Sequence, residues 1–224
     1  MLVTIPEVLN KEDISVILDL MASANFREGS SSAGDEAKRV KNNHELFISE
    51  LETQRLNNLV MGKLVKNPSY IATAFAAKIA APYYAKYSKG MHYGNHVDDP
   101  VMGPPNQRYR SDISITIFLS DPDTYEGGQL VISTAFGEQE IKLNAGDAVL
   151  YPSSSTHRVA EVTKGERLVA VTWLQSTVRD PAKREILYKL SQARETMIKT
   201  SPGSTELEQL SYGYVNLLRM WSDI

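Results

Sequence analysis

A chain of 224 residues with 42% hydrophobic residues has the length and apolar content for one β-rich domain with helical additions. Its 24 basic and 27 acidic side chains leave a net charge of -3 with both signs dispersed, which argues against a surface tracking nucleic-acid phosphates. The lack of cysteine excludes disulfides, thiolate metal ligands and a cysteine nucleophile; residues 1–7 carry no basic-plus-apolar leader, and the apolar run over 71–82 is short and holds Lys78, so the expectation is a cytoplasmic protein that spans no membrane.

Asn10 is placed to cap a helix whose apolar residues Ile14, Ile17, Leu20, Met21 and Ala24 recur at helical spacing. Residues 27–43 are polar and read as a surface loop. Ser49-Glu-Leu-Glu52 has the form of a capping box. Behind it Leu56, Leu59, Val60 and Leu64 line a second helix that stops before Asn67-Pro68. From residue 82 the hydrophobic period drops to two. Ile113, Ile115, Ile117 and Leu119 alternate with Ser114, Thr116 and Phe118, the pattern of a half-buried strand. Turn signals at Asp121-Pro-Asp, Gly127-Gly128, Gly137 and Asn144-Ala-Gly-Asp147 separate further strands over 129–133, 138–143, 148–151, 159–162 and 168–174. About seven or eight such strands predict a mainly β fold with flanking helices, an all-β sandwich or jelly roll. Asp180-Pro181 opens a helix with Ile186, Leu187, Leu190, Ala193 and Met197 as its stripe. After the Ser-Pro-Gly break at 201–203, a last helix turns Leu207, Leu210, Tyr214, Leu217 and Leu218 inward. The chain thus divides into a helical support over 1–76, a core over 77–177 and a C-terminal helical hairpin over 178–224, which is also a candidate homo-oligomer contact.

The chemistry gathers in Tyr87-Ser-Lys-Gly-Met-His-Tyr-Gly-Asn-His-Val-Asp98. On a strand, residues two apart face the same side, so His96 and Asp98 aim an imidazole and a carboxylate at one point. The chain has four histidines, and His157 follows the strand and turn Gly146-Asp-Ala-Val-Leu-Tyr-Pro152. Two histidines and one carboxylate suit Fe(II) with open positions better than a closed structural zinc site. His92 lies four residues from His96, about 13 Å along a strand, too far for the same ion. His44 sits in polar sequence, and Asp99 points away from Asp98 by parity.

Arg167 is the candidate anchor for the distal carboxylate of a 2-oxoglutarate co-substrate, since a guanidinium offers a fork of N–H donors. Thr163-Lys-Gly165 reads as a hairpin loop that pairs Glu161 with Arg167 and puts Arg167 on the face of His157. Residues 99–111, with Pro100, Gly103, Pro104 and Pro105, are placed to overhang the site as a substrate lid. Arg108 and Arg110 there are candidate contacts for an acidic substrate group, against the plainer reading of solvated loop charges.

The order Tyr87-x-x-Gly90-x-x-Tyr93-x-x-His96-x-Asp98, then His157, then Arg167, resembles the prolyl/lysyl hydroxylase-type (PKHD) Fe(II)/2-oxoglutarate-dependent dioxygenases, in particular the bacterial iron-uptake-factor group. Gly146 through His157-Arg-Val and Gly165-Glu-Arg167-Leu-Val-Ala carry the likeness further, as does the closing Leu-Leu-Arg-Met-Trp221. The resemblance implies a double-stranded β-helix core, with iron on His96, Asp98 and His157 and 2-oxoglutarate on Arg167. Tyr87 resembles the family tyrosine that hydrogen-bonds the co-substrate, with Tyr93 a weaker candidate. It further implies O2 as oxidant, ascorbate as reductant, and hydroxylation of a substrate C–H with release of succinate and CO2. The substrate is a prolyl- or lysyl-type side chain, a peptide, a protein or a small molecule. The chief rival is a cupin-type metal-binding jelly roll without oxygenase activity, because Gly146-Asp-x4-Pro152-x4-His157 also resembles a cupin motif; a zinc hydrolase is a further rival.

Overall fold

The computed structural model describes residues 1–32, 34 and 37–223. The N-terminal part runs β1 (Val3–Ile5), α1 (Lys11–Ser23), β2 (Asn25–Glu28), β3 (Lys41–Asn42), β4 (His44–Phe47), α2 (Glu50–Leu64) and α3 (Pro68–Ala74). Asn10 and Ser49 close reciprocal capping boxes with Asp13 and Glu52, so both expected helix starts hold. The polar stretch 27–43 is more than a loop: its ends pair as strands, β2 on β4 and β3 on the later strand His92–His96. Residues 33, 35 and 36 of that stretch lie outside the described residues. Helix α3 was hidden in the sequence by its brevity; Asn67 caps it and Pro68 opens it.

The middle of the chain runs β5 (Ala76–Ile79), β6 (Tyr83–Tyr87), β7 (His92–His96), β8 (Val101–Met102), β9 (Tyr109–Arg110), β10 (Ile113–Phe118), β11 (Tyr125–Gly127), β12 (Leu130–Thr134), β13 (Gly137–Ile141), β14 (Ala148–Pro152), β15 (His157–Val159), β16 (Val162–Gly165) and β17 (Arg167–Ser176). An eight-stranded sheet has the order β1-β14-β10-β17-β6-β4-β2, with β5 on β17, and faces a five-stranded sheet of order β13-β12-β15-β7-β3. Every pairing among the described residues is antiparallel, and the result is a jelly roll with flanking helices. The N-terminal segment therefore supplies strands as well as helices.

Strand β10 explains the layering. Its alternation predicts one wet face, yet all six residues are buried. Ile113, Ile115 and Ile117 join a core with Ile14, Ile17, Val60 and Leu64, so helices α1 and α2 cover the outer face of the large sheet. Phe118 instead joins Val149, Val169, Leu130 and Ile132 in a second core between the sheets. Ser114 and Thr116 share that inner face by parity, which keeps polar groups inside the roll. At the C-terminus α4 (Pro181–Thr200) and α5 (Thr205–Trp221) form the hairpin. Leu187 of α4 is buried, but Ile186 of the expected stripe is 47% exposed. None of the residues expected inward on α5 is fully buried. No helix among the described residues is long and apolar enough to cross a membrane.

Gly146 makes the turn into β14 at φ 94, and a Cβ there would meet the Leu9 carbonyl oxygen at 2.2 Å. We expect Gly146→Ala to destabilise the protein by about 2 kcal/mol or more, read as a lower urea midpoint. An unchanged midpoint would show that this turn relaxes freely.

Candidate metal centre

Strands β7 and β15 are antiparallel neighbours in the small sheet, and their register sets His96 directly against His157. Each ring is fixed through its back nitrogen. His96 Nδ1 lies 2.8 Å from the carbonyl oxygen of Gly94, and His157 Nδ1 lies 2.9 Å from that of Ser155. A carbonyl only accepts, so Nδ1 carries the proton and Nε2 keeps a free lone pair for a metal. Tyr93 stacks on the His96 ring with centroids 3.7 Å apart, and the edge of Tyr151 meets His157 at 5.0 Å.

Asp98 follows the end of β7. Its Oδ1 is 3.8 Å from Nε2 of both histidines, and one ligand atom from each of the three residues lies within 4.8 Å of the others. Its Oδ2 accepts hydrogen bonds from Ser114 Oγ at 2.5 Å and Trp173 Nε1 at 2.8 Å. Burial, with His157 adding to it, lowers His96 from 6.5 to about 4, so its imidazole is neutral near pH 7. Two imidazole nitrogens and one carboxylate on one side of a cavity are the donor set an open Fe(II) site needs, and the residues present fit that ion.

The three residues line a cavity of about 1030 Å³ that also holds Arg167, Tyr87, Thr116 and Trp173. The hairpin expected at 163–165 does not form. Strand β16 pairs with β11, while β17 crosses to the large sheet and sets Arg167 against Tyr87. Gly165, at φ 73, turns the chain between sheets instead of within one. Arg167 thus reaches the cavity of His157 from the opposite wall. It is 1% exposed, and among the described residues its Nε has no hydrogen-bond partner and no carboxylate pairs with it. A buried guanidinium without a counter-charge is costly, so this corner suits an anion, and the distal carboxylate of 2-oxoglutarate fits it. The Tyr87 ring lies 5.1 Å from the guanidinium carbon. Burial pushes its hydroxyl up to about 12, which keeps the phenol protonated and able to donate.

Of the other candidates, His92 and His44 stand outside the cluster, paired along their strands with Asn42 and with Glu28 and Lys86. Residues 99–111 fold as the β8–β9 hairpin, and Val101, Met102, Gly103 and Tyr109 line the cavity. Arg110 is not free for a substrate, because Asp112 holds it in a bidentate pair at 2.6 and 3.0 Å. Arg108 is exposed. Sequence reasoning missed Ser114 and Trp173. A hydroxyl inside an isoleucine-rich strand was the available signal for Ser114; nothing local marks Trp173.

The model of the 2OG-Fe(II) oxygenase superfamily matches residues 82–175, and that of the PKHD-type hydroxylase C-terminal domain matches residues 181–223. A PKHD-type hydroxylase of Thioalkalivibrio sulfidiphilus is 48% identical over 224 residues, covering 100% of both chains. One from Aliarcobacter butzleri is 40% identical, again over 100% of both. Among solved structures, a Trichoplax adhaerens prolyl hydroxylase in complex with a hypoxia inducible factor peptide fragment superposes with a TM-score of 0.57 at 16% identity, covering 83% of this chain and 86% of that one. A Pseudomonas putida prolyl-4-hydroxylase superposes with a TM-score of 0.52 at 19% identity, covering 78% and 92%. At such identities the structures speak for the fold alone.

Because the folded pKa of His96 is lowered, the unfolded chain takes up that proton first as pH falls. Metal-free protein therefore loses stability from about pH 6.5 down to about pH 4, with no penalty above that window. His96→Gln should flatten this part of the melting-temperature profile; identical slopes in variant and wild type would refute the burial effect.

Proposed function

The chain belongs to the PKHD-type hydroxylases of the 2OG-Fe(II) oxygenase superfamily, a 2-oxoglutarate-dependent dioxygenase, and we propose that it hydroxylates an aliphatic C–H of a substrate admitted to the cavity between the sheets. The observation that carries this reading is the convergence of two unlike sets of protein groups on one cavity. On one wall His96, His157 and Asp98 turn bare ligand atoms inward. On the other Arg167 turns in a buried cation whose Nε is unpartnered.

Iron with 2-oxoglutarate and O2 supplies the oxidising power, giving succinate, CO2 and a hydroxylated product. The protein's own share is placement. His96 and His157 hold their rings with Nε2 forward, and Asp98 supplies the negative charge. Arg167 binds the far carboxylate of 2-oxoglutarate, a charge-assisted interaction strengthened by burial. Tyr87, protonated beside Arg167, donates a hydrogen bond to the same carboxylate. Tyr83, Tyr109, Trp173 and Met102 give the other end of the cavity an aromatic and apolar lining. That lining suits a saturated ring or aliphatic side chain, as a prolyl or lysyl residue would present. Ascorbate serves as the reductant that keeps the iron ferrous.

With Fe(II) and a panel of prolyl and lysyl peptides and free amino acids, the protein should form succinate stoichiometrically with hydroxylated product. Arg167→Ala should raise the half-saturating 2-oxoglutarate concentration about a hundredfold, the scale of losing one strong hydrogen bond to a charged group. Succinate formation that needs no iron, or that ignores Arg167, would defeat the reading.

A further inference from the structure

Asp98 divides its carboxylate between two tasks. Oδ1 faces Nε2 of both histidines, while Oδ2 accepts from Ser114 and Trp173. An ionised carboxylate oxygen offers about two lone pairs, and here both are engaged. We propose that Ser114 and Trp173 are positioning residues that hold Asp98 as a one-oxygen ligand and so reserve the metal's remaining positions for the chelating co-substrate.

The two donors arrive as a built unit. Ser114 and Trp173 are directly opposed across the β10–β17 pairing, so the large sheet delivers both to the same oxygen. Ser114 is fully buried, and Ser153 Oγ lies 2.8 Å from its Oγ. A hydroxyl has a single hydrogen; Ser114 gives it to Asp98 and accepts from Ser153, which fixes the rotor. A metal ligand whose other oxygen is hydrogen-bonded to buried donors keeps its orientation at little entropic cost. Were Oδ2 released, the carboxylate could close on the ion through both oxygens and occupy a position that 2-oxoglutarate needs. The Trp173 indole also meets Tyr83 edge-on at 5.9 Å in the cavity wall. A molecule filling that end therefore touches the group that holds the ligand.

This inference rests on the proposed iron and 2-oxoglutarate site, and one experiment separates the two. Wild type, Ser114→Ala and Trp173→Phe are saturated anaerobically with Fe(II), then titrated with 2-oxoglutarate while the visible metal-to-ligand charge-transfer band is followed. Both variants should still bind Fe(II) but need about tenfold more 2-oxoglutarate to half-develop the band. An unchanged requirement in both overturns the clamp and leaves the site intact. Loss of Fe(II) from a variant with an unchanged melting temperature overturns it too, because the bonds would then secure the ligand itself. No band in wild type with Fe(II) and 2-oxoglutarate overturns the site, and the clamp with it. Ser114→Ala removes one hydroxyl, so a folded variant remains if Trp173→Phe fails to fold.

Discussion

The register of β7 on β15 is the constraint from which the rest follows. Antiparallel pairing sets His96 opposite His157, and a one-residue slip would turn one ring to the far face of the sheet. Because β15 also pairs with β12, His157 sits inside the five-stranded sheet with His96 on one side and Ile132 on the other, while β3 pairs with β7 at His92 and Tyr93. Each ring then spends its back nitrogen on a carbonyl two residues earlier in its own chain, at Gly94 and Ser155. Strand pairing supplies the distance and the backbone supplies the tautomer.

The opposite wall belongs to the large sheet, and its two faces are specialised. The outer face spends isoleucines on helices α1 and α2, a conventional apolar core. The inner face mixes Phe118, Val149 and Val169 with Ser114, Thr116, Arg167 and Trp173. Burying polar groups there is unfavourable unless each finds a partner. Ser114 and Trp173 find Asp98, whereas Arg167 Nε finds none among the described residues. Functional sites are where such local violations of packing rules are expected, and here the violation points at an anionic ligand.

Much of this was legible in the sequence because it rests on local pattern. The spacing of His96 and Asp98, the turn before His157, the Asn10 cap and the Ser49–Glu52 capping box are short-range signals. What the sequence hid depends on pairing between distant strands. Thr163-Lys-Gly165 has the composition of a hairpin turn, yet the chain there crosses from one sheet to the other, and Arg167 meets Tyr87 instead of Glu161. The alternation in β10 predicts a wet face because alternation reports polarity, and the inner face is polar while remaining buried. Arg110 looked available in a loop, but Asp112, two residues on, holds it. The grip of Trp173 on Asp98 spans 75 residues and leaves no local trace.

The most direct test is crystallographic: crystals grown anaerobically with Fe(II) and 2-oxoglutarate, with diffraction recorded on either side of the iron edge. The structure predicts a single strong anomalous peak bonded to Nε2 of His96, Nε2 of His157 and Oδ1 of Asp98, with the far carboxylate of 2-oxoglutarate on Arg167. A peak placed elsewhere, or a co-substrate carboxylate that turns away from Arg167, would contradict it.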